Sequence, residues 1–537
     1  MDMRSVLKTG ACAAVLAMAA GGALAQEKVL RWSSQGDAFS MDPYVRNESL
    51  TLGVMSNVYE GLTRRDTKTL EIQPGLAIKW EQQEPTRWRF WLRQGVKFHD
   101  GRPFTADDVV FSFNRVKVGA SDLKTRVAGI KEAKKVDDFT VDFITDVPNP
   151  IIHYEWDTWY ILSASWAKEN HALETVDVTK TTPNFASTSA NGTGAYLLTY
   201  READVRTEFA VNPAWWDAEG KKKFNVTKVI YRPIKNPATA VAALLSGQID
   251  VVEPVPVQDI DRINKSGQAK VQIGPELRTI FLGMDTDRNE LVYSDVKGKN
   301  PFKDKRVRQA FYQAIDIEAI KTKIMRGLSV PSAMMIGDGV NGYDKSIKRL
   351  AYDPAAAKKL LTDAGYPNGF SVTLDCPNDR YVNDEAICQA VVGMLARIGV
   401  KVTLNAQSKT IIFPFYAAKR DTSFYMLGWT PGSVDSWNVL YNIVGSVKKD
   451  SQGRIVRGLF NYGAWSSPQL DDLTDKILVE TDKAKRDAMI SQAWKLHIDD
   501  IGHLPLHQQA LAWGVRNNVS VVVSPFNRYD WSRVMVK

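Results

Sequence analysis

The sequence predicts an α/β fold, because short runs of alternating apolar residues are interleaved with capped stretches of helical spacing along nearly its whole length. Three segments carry that prediction: residues 88–113, 236–252 and 370–404. In the first, Trp88, Phe90 and Leu92 alternate on one face of a strand, and Val96 and Phe98 alternate again before the turn pair Asp100-Gly101. A helix follows. Thr105 is its N-cap, with Asp108 as a weak capping box, and Phe104 and Val109 hold the staple positions. That leaves Val109, Val110 and Phe113 as the face to bury.

In the second segment, Asn236-Pro237 caps and opens a helix whose Val241, Leu244 and Leu245 share a face, and Gly247 closes it before the strand Ile249, Asp250, Val251, Val252. The same grammar recurs further on. Asp304 caps a helix with Val307, Ala310, Phe311, Ala314 and Ile315 on one side, and Asp353-Pro354 opens another that ends near Gly365. The third segment is the most complete. Phe370, Val372 and Leu374 alternate in a strand, Asn383 caps a helix carrying Ile387, Val391, Leu395 and Ile398, Gly399 stops it, and Val400, Val402 and Leu404 form a second strand. Two strands joined in this way are parallel with a right-handed crossover, so their linking loop, residues 375–381, stands at the carboxyl edge where open α/β sheets bind ligands. Two other loops follow strands in the same manner: residues 33–43 after Leu30, Arg31 and Trp32, and residues 428–437 after Phe424, Tyr425, Met426 and Leu427. Where such loops converge they line a cleft.

Length and composition bound the function. The 537 residues suggest about three domains beyond the leader on the usual size of ~150 each. Arg4 and Lys8, the apolar run from Ala11 to Ala20, and Ala23-Leu24-Ala25 before Gln26 read as a secretory signal peptide of residues 1–25, cleaved after Ala25. An exported, periplasmic protein is therefore expected. No other stretch has the ~18 or more apolar residues of a membrane span. The net charge of +8 comes from 69 basic residues interspersed among 61 acidic ones, and Lys221-Lys222-Lys223 is the one short basic run, read as a solvated loop; nucleic acid is not an expected partner. Cys376 and Cys388 remain after the leader, and an oxidising compartment with Cys376 ending a strand and Cys388 early in the next helix predicts a disulfide, two buried thiols being the competing arrangement.

Catalysis finds little support. Ser165-Trp166-Ala167-Lys168 and Ser121-Asp122-Leu123-Lys124 fit the SxxK pattern of penicillin-binding enzymes, but no Ser-Asp-Asn exists and Lys8-Thr9-Gly10 lies in the leader. A secreted SxxK peptidase is the alternative of another class. His497, His503 and His507 cluster, yet Pro505 breaks the helical spacing that paired ligands need, so packing or surface roles are expected and no metal or cofactor site.

The string from residue 92 to 113 resembles, as a gapless whole, the signature of the bacterial extracellular solute-binding proteins that serve peptide and nickel ABC importers, the dipeptide- and oligopeptide-binding group. The likeness continues through Gly192-Thr193-Gly194-Ala195-Tyr196, Asn212-Pro213-Ala214-Trp215-Trp216, Leu244-Leu245-Ser246-Gly247-Gln248-Ile249-Asp250, Arg306-Val307-Arg308-Gln309-Ala310-Phe311 and Ala364-Gly365-Tyr366-Pro367-Asn368-Gly369-Phe370. It implies a two-lobed periplasmic binding protein fold with an extra domain inserted in the first lobe. By that analogy the first lobe takes residues 26–61, 191–283 and 505–537, the insert 62–190 and the second lobe 284–504. It also implies a monomer that captures a small peptide-like ligand and hands it to an inner-membrane ABC permease with its ATPase subunits.

Arg380 is the leading site candidate. Its planar guanidinium offers paired donors to a carboxylate, and its place between a strand and a helix N-terminus adds backbone N–H groups that favour an anion. In the dipeptide binders an arginine of the matching loop grips the peptide's terminal carboxylate; a surface arginine paired with Asp379 or Asp384 is the plain alternative. Tyr381 and Phe39 join it on converging loops. Trp429 and Trp437 are read either as pocket walls or as core, with Thr430, Gly432 and Ser433 between them. Asp435 is a candidate acceptor for a ligand amine. In the relatives an aspartate shortly after Gly-Trp-Thr clamps the amino terminus, and the aligned position here is Gly432. An opine-like conjugate, another amine or a metallophore is therefore the alternative solute.

Overall fold

The computed structural model describes residues 27–177, 182–451, 453 and 455–537; the expected leader and its cleavage point lie outside them. Among the described residues, eleven strands form one sheet. From edge to edge its path runs Lys401–Gln407, Ser371–Pro377, Phe424–Trp429, Ala269–Met284, Leu504–Arg516, Val251–Glu253, Val29–Ser34, Lys228–Pro233, Arg206–Val211 and Tyr196–Glu202, with Ser329–Pro331 alongside Leu504–Arg516. The parallel pairs lie in the two flanks, where Val29–Ser34 lies beside Lys228–Pro233 and Ser371–Pro377 beside Lys401–Gln407. Residues 371–407 thus form a βαβ unit, with the helix Asp384–Ala396 as the crossover.

Two long strands cross the middle. Ala269–Met284 pairs antiparallel with Leu504–Arg516 from Ala269↔Arg516 to Leu282↔Leu504, and the register breaks between Pro275 and Thr279. On one side of the break Val515 also pairs with Val251; on the other Thr279 pairs with Trp429. The two strands therefore tie one flank of the sheet to the other. Separate cores follow: Trp32, Tyr231 and Trp513 belong to the first, and Phe302, Phe311, Phe370 and Phe424 to the second.

The 92–113 string builds a scaffold on the first flank. Strand Arg87–Leu92 buries Trp88, Phe90 and Leu92 in alternation within an antiparallel sheet of Ala77–Glu84, Arg87–Leu92, Thr140–Thr145 and Ile130–Asp137. The helix Ala106–Lys117 starts at Thr105, whose N–H donates to Asp108 at 2.9 Å, and buries Val109 and Phe113 while Val110 stays half-buried. The same string is clamped to a second one. His99 N donates to Gly192 O at 2.8 Å, His99 Nε2 lies 3.0 Å from Gly194 O, and Asn191 Nδ2 donates to Asp100. A Cβ on Gly192 would stand 1.9 Å from Val58 O, which is why glycine is required there. Thr193, Trp215 and Trp216 all donate to the buried carboxylate of Glu60, which burial pushes up to about 7 against those hydrogen bonds.

The structure revises one helix start. Asn383 sits at φ +55° and its amide donates to Ile324 O, so it caps nothing. Asp384 takes the role instead, accepting from the N–H groups of Arg380 and Tyr381 at 2.9 Å each and of Glu385 at 2.9 Å. Cys376, in the strand, and Cys388, in the helix, are joined with a Cα–Cα separation of 6.6 Å, which staples the loop that carries Arg380.

The histidines at the end of the chain are packed inside. His497 Nε2 meets His503 Nδ1 at 3.0 Å, and both ring nitrogens of the fully buried His507 lack a partner. Burial, helped by Arg349 nearby, pushes His507 down to about 3 from an ordinary 6.5. The unfolded chain takes up that proton below about 6.5, so the stability that a neutral His507 contributes is complete above pH 6.5 and lost as pH falls towards 3. The raised carboxyls of Glu60 and Glu253 act with the opposite sign, so the comparison must be between variants. His507→Leu should flatten the stability–pH slope between pH 6 and 5 by about 1.4 kcal/mol per unit. Urea melts of both proteins at those two pH values would show it; parallel slopes would mean that His507 is not held neutral.

Candidate functional site

Arg380 and its neighbours form the site's base. The loop after strand Ser371–Pro377 is folded by Asp384, and Tyr381 is fixed beneath it: Gly428 N donates to the Tyr381 hydroxyl at 2.8 Å, and that hydroxyl donates to Gly428 O at 3.3 Å. The Tyr381 ring lies under two cations, with the Arg380 guanidinium 5.4 Å and that of Arg278 5.7 Å from its centre. Tyr381 is thus a buried platform. Arg380 itself has no hydrogen bond or ion pair to its guanidinium among the described residues. Burial works against its charge, but Glu48, Tyr381, Glu276 and Asp384 outweigh that and hold it firmly protonated.

The facing wall comes from the first flank. Phe39 stands half-buried in the loop 33–43, which is pinned by two buried ion pairs, Asp37 with Arg201 at 2.7 Å and Asp42 with Arg115 at 2.6 Å. Lys409, at the start of the helix Lys409–Lys419, reaches across to it. Its Nζ lies 6.0 Å from the centre of the Phe39 ring and 3.8 Å from where a Cβ on Gly36 would be. Its backbone N–H donates to Asp379 at 2.6 Å, which joins this helix to the Arg380 loop. Glu48 completes the group. One oxygen accepts from Thr51 N at 2.9 Å, and although burial raises its pKa, the Lys409 ammonium and Arg380 guanidinium outweigh that and keep it below the ordinary carboxylate range.

The central strands supply the connection between the walls. At the register break, the buried Glu276 accepts from Arg278 Nε at 3.0 Å and from Gln509 Nε2 at 2.7 Å, and Gln509 Oε1 accepts from Val382 N at 3.1 Å. Arg278 also donates to Ser49 Oγ at 3.1 Å, next to Glu48. Glu48, Glu276, Arg278, Lys409 and Gln509 were not singled out in the sequence, since they lie in four separate segments with no motif. The site could only be read from the loops that happen to carry an arginine or tryptophan after a strand.

The loop 428–437 divides in two. Trp429 stacks obliquely on Phe460 with centres 4.7 Å apart and donates to Asn438 at 2.7 Å, and Trp437 stacks on Tyr441 at 4.7 Å. Both are half-buried. The hydroxyls of Thr430 and Ser433 and the Trp437 N–H are enclosed without a protein partner, and Gly432 is partly open between them. Asp435 is a correction: it does not await a ligand amine. It is buried, its two oxygens accept from Arg486 at 2.8 Å each, and one also caps Trp437 N at 2.9 Å. Two surface depressions of about 340 and 640 Å³ lie elsewhere, by Arg31 and Arg516 and by Tyr200 and Arg206.

The chemistry of these groups is recognition, without a nucleophile activated by a base. Lys124 Nζ donates to Gly119 O at 2.9 Å and the Ser165 hydroxyl faces Ser163 at 3.3 Å, so neither SxxK serine is paired with its lysine. Among the described residues no group of three His, Cys, Asp or Glu side chains is placed to hold a metal.

Residues 71–451 match the family described as "Bacterial extracellular solute-binding proteins, family 5 Middle". The chain belongs to that family. It is an extracellular solute-binding protein, the substrate-capturing component of an ABC importer, and not an enzyme. Among the described residues no helix is long and apolar enough to cross a membrane. This solute-binding protein is 27% identical to the dipeptide-binding protein of Escherichia coli K12, over 99% of its own length and 98% of the relative's. Its fold is that of the Helicobacter pylori periplasmic binding protein DppA in complex with the peptide STSA (TM-score 0.79, 23% identity, 95% and 98% covered). It is also that of the Agrobacterium tumefaciens R10 protein AgaA in complex with agropinic acid (TM-score 0.77, 22% identity, 95% and 99% covered).

The Asp435–Arg486 pair makes its own prediction. Removing one partner of a buried, doubly hydrogen-bonded pair costs about 3–5 kcal/mol. Asp435→Ala in this solute-binding protein should lower the free energy of unfolding by that amount, measured by urea melts, and leave the solute affinity of the folded fraction unchanged. Full stability with weakened solute binding would put Asp435 back among the ligand contacts.

Proposed function

We propose that this protein captures a small peptide or peptide-like solute between the two flanks of its sheet and presents it to an inner-membrane ABC permease with its ATPase subunits. It works in the periplasm as a monomer, after cleavage of the leader behind Ala25. The division into a first lobe of residues 26–61, 191–283 and 505–537, an insert of 62–190 and a second lobe of 284–504 belongs to the same reading. Support comes from the strands Ala269–Met284 and Leu504–Arg516, which link the flanks where their register is irregular, between Pro275 and Thr279 and between Ile280 and Phe281. The disulfide at Cys376 and Cys388 fits an oxidising compartment.

The observation that carries the reading is the guanidinium of Arg380, held over Tyr381 and in the field of Glu48, with no ion pair or hydrogen bond among the described residues. A half-buried cation with no partner among the described residues awaits an anion, and a terminal carboxylate matches its two parallel donors. Around it, Trp429 and Trp437 offer apolar faces, and Thr430, Gly432 and Ser433 offer polar atoms for a peptide backbone. Because such a solute touches both flanks only when they approach, its binding energy favours the closed arrangement, which is the signal a permease can read. The dipeptide named in the Escherichia coli relative and the peptide in the Helicobacter pylori structure support this class of ligand.

Titration calorimetry with alanyl-glutamate, a dipeptide carrying both a terminal and a side-chain carboxylate, tests the assignment. Arg380→Ala should weaken binding by roughly 2–5 kcal/mol, the loss typical of a desolvated charge pair. Binding of equal strength in the variant would remove Arg380 from the carboxylate site.

A further inference from the structure

The charged side chains around the site are not all closely paired. Arg278 is held by Glu276, Arg201 by Asp37, Arg115 by Asp42, and Arg486 by Asp435. Asp384 is engaged by three backbone N–H groups and Asp379 by the backbone of Lys409. Arg380 and Lys409 have no ion pair or hydrogen bond to their side chains among the described residues, and they stand on loops joined by the Asp379 bond. Opposite them stands the carboxylate of Glu48, which among the described residues has no cation within ion-pairing distance and has an oxygen left over from Thr51, while its neighbour Glu253 is held by the Tyr529 hydroxyl. A dipeptide without ionised side chains supplies one carboxylate and one ammonium. It would satisfy Arg380 and Glu48 and leave the Lys409 ammonium without a close partner in its half-buried position beside Phe39.

We propose that Arg380 and Lys409 are two anion subsites opposite a single amine subsite at Glu48, so that the solute is an amine bearing two carboxylates, with one net negative charge. An acidic dipeptide has this pattern, as does a secondary amine dicarboxylate. The inference rests on the reading of Arg380 as a ligand residue and narrows it from any small peptide to this charge class. Geometry supports the assignment of the second anion to Lys409. Its ammonium reaches from the second flank to the Gly36–Phe39 segment of the first, so a carboxylate bound there bridges both flanks. The missing aspartate at Gly432 and the occupied Asp435 leave Glu48 to receive the amine.

Calorimetry on the full mature chain at low salt, with alanyl-glutamate against alanyl-glutamine and with 2,2′-iminodipropionate against its monoamide, separates the possibilities. In the wild type each dicarboxylate should bind about tenfold more tightly than its amide, 1.4 kcal/mol per decade being the size of a partly desolvated charge pair. In Lys409→Met that ratio should fall to about one, in Lys409→Arg it should persist, and Arg380→Ala should weaken all binding. Equal affinity for alanyl-glutamate and alanyl-glutamine in the wild type, or a ratio kept in Lys409→Met, overturns the two-anion inference and leaves the peptide reading intact. Binding of iminodipropionate alone, with the same dependence on Lys409, keeps the inference and overturns the peptide reading. If none of the four probes binds, both fall.

Discussion

The backbone pairing of Ala269–Met284 with Leu504–Arg516 is the constraint on which the rest of the structure depends. It is the place where the sheet passes from one flank to the other, and its register breaks between Pro275 and Thr279. Pro275 has no N–H to give the ladder, and a break of this kind bends a strand and re-aims the side chains around it. Those side chains are Glu276 and Arg278. The break therefore places a buried carboxylate and its guanidinium where both flanks can reach them, through Gln509 and Val382 N on one side and Ser49 on the other. A change in the angle between the flanks acts on the Arg380 loop through these bonds.

Much of the fold was legible because its signals are local. The alternation of Trp88, Phe90 and Leu92, the capped helices after Asn236 and Asp304, and the βαβ unit of residues 370–404 each depend on residues a few positions apart. The misreadings were also local. Asn383 looked like a cap because it precedes the apolar spacing, but the loop turns there at positive φ and the carboxylate one residue later fits the free N–H groups better. The site was legible only in part. Arg380 follows a strand and precedes a helix, which is a sequence pattern. Asp435 shares a loop with candidate walls, yet its partner Arg486 is far along the chain, and nothing in the sequence shows that its charge is already satisfied. Glu48 and Lys409 are ordinary surface residues by sequence, and only the approach of the two flanks gives them a role.

The conspicuous motifs are scaffold. The 92–113 string and the Gly192–Tyr196 string meet edge to edge, and Thr193, Trp215 and Trp216 close on Glu60, all on the first flank. In this chain these residues serve close backbone approach and a carboxyl held by three donors, Glu60. The proposed solute contacts sit on loops held by that scaffold, and such loops can vary without disturbing it. Family membership thus defines what the protein serves, and says less about what it carries.

Glu48 decides how much charge complementarity is worth. In the protein its carboxylate lies in the field of Lys409 and Arg380, strongly enough to offset its burial. A solute carboxylate that binds either cation must compete with that field, so the gain is the difference between a close, paired contact and a longer-range attraction already present. A solute with an amine changes this balance. Its ammonium gives Glu48 a direct partner while its carboxylates take the two cations, and each of the three charges moves from a distant interaction to a close one. An anion without an amine would instead strand Glu48 between two neutralised cations in a partly desolvated gap, where a lone carboxylate is costly. The Glu48 carboxylate therefore discriminates against simple dianions, while the two cations discriminate in favour of acidic solutes.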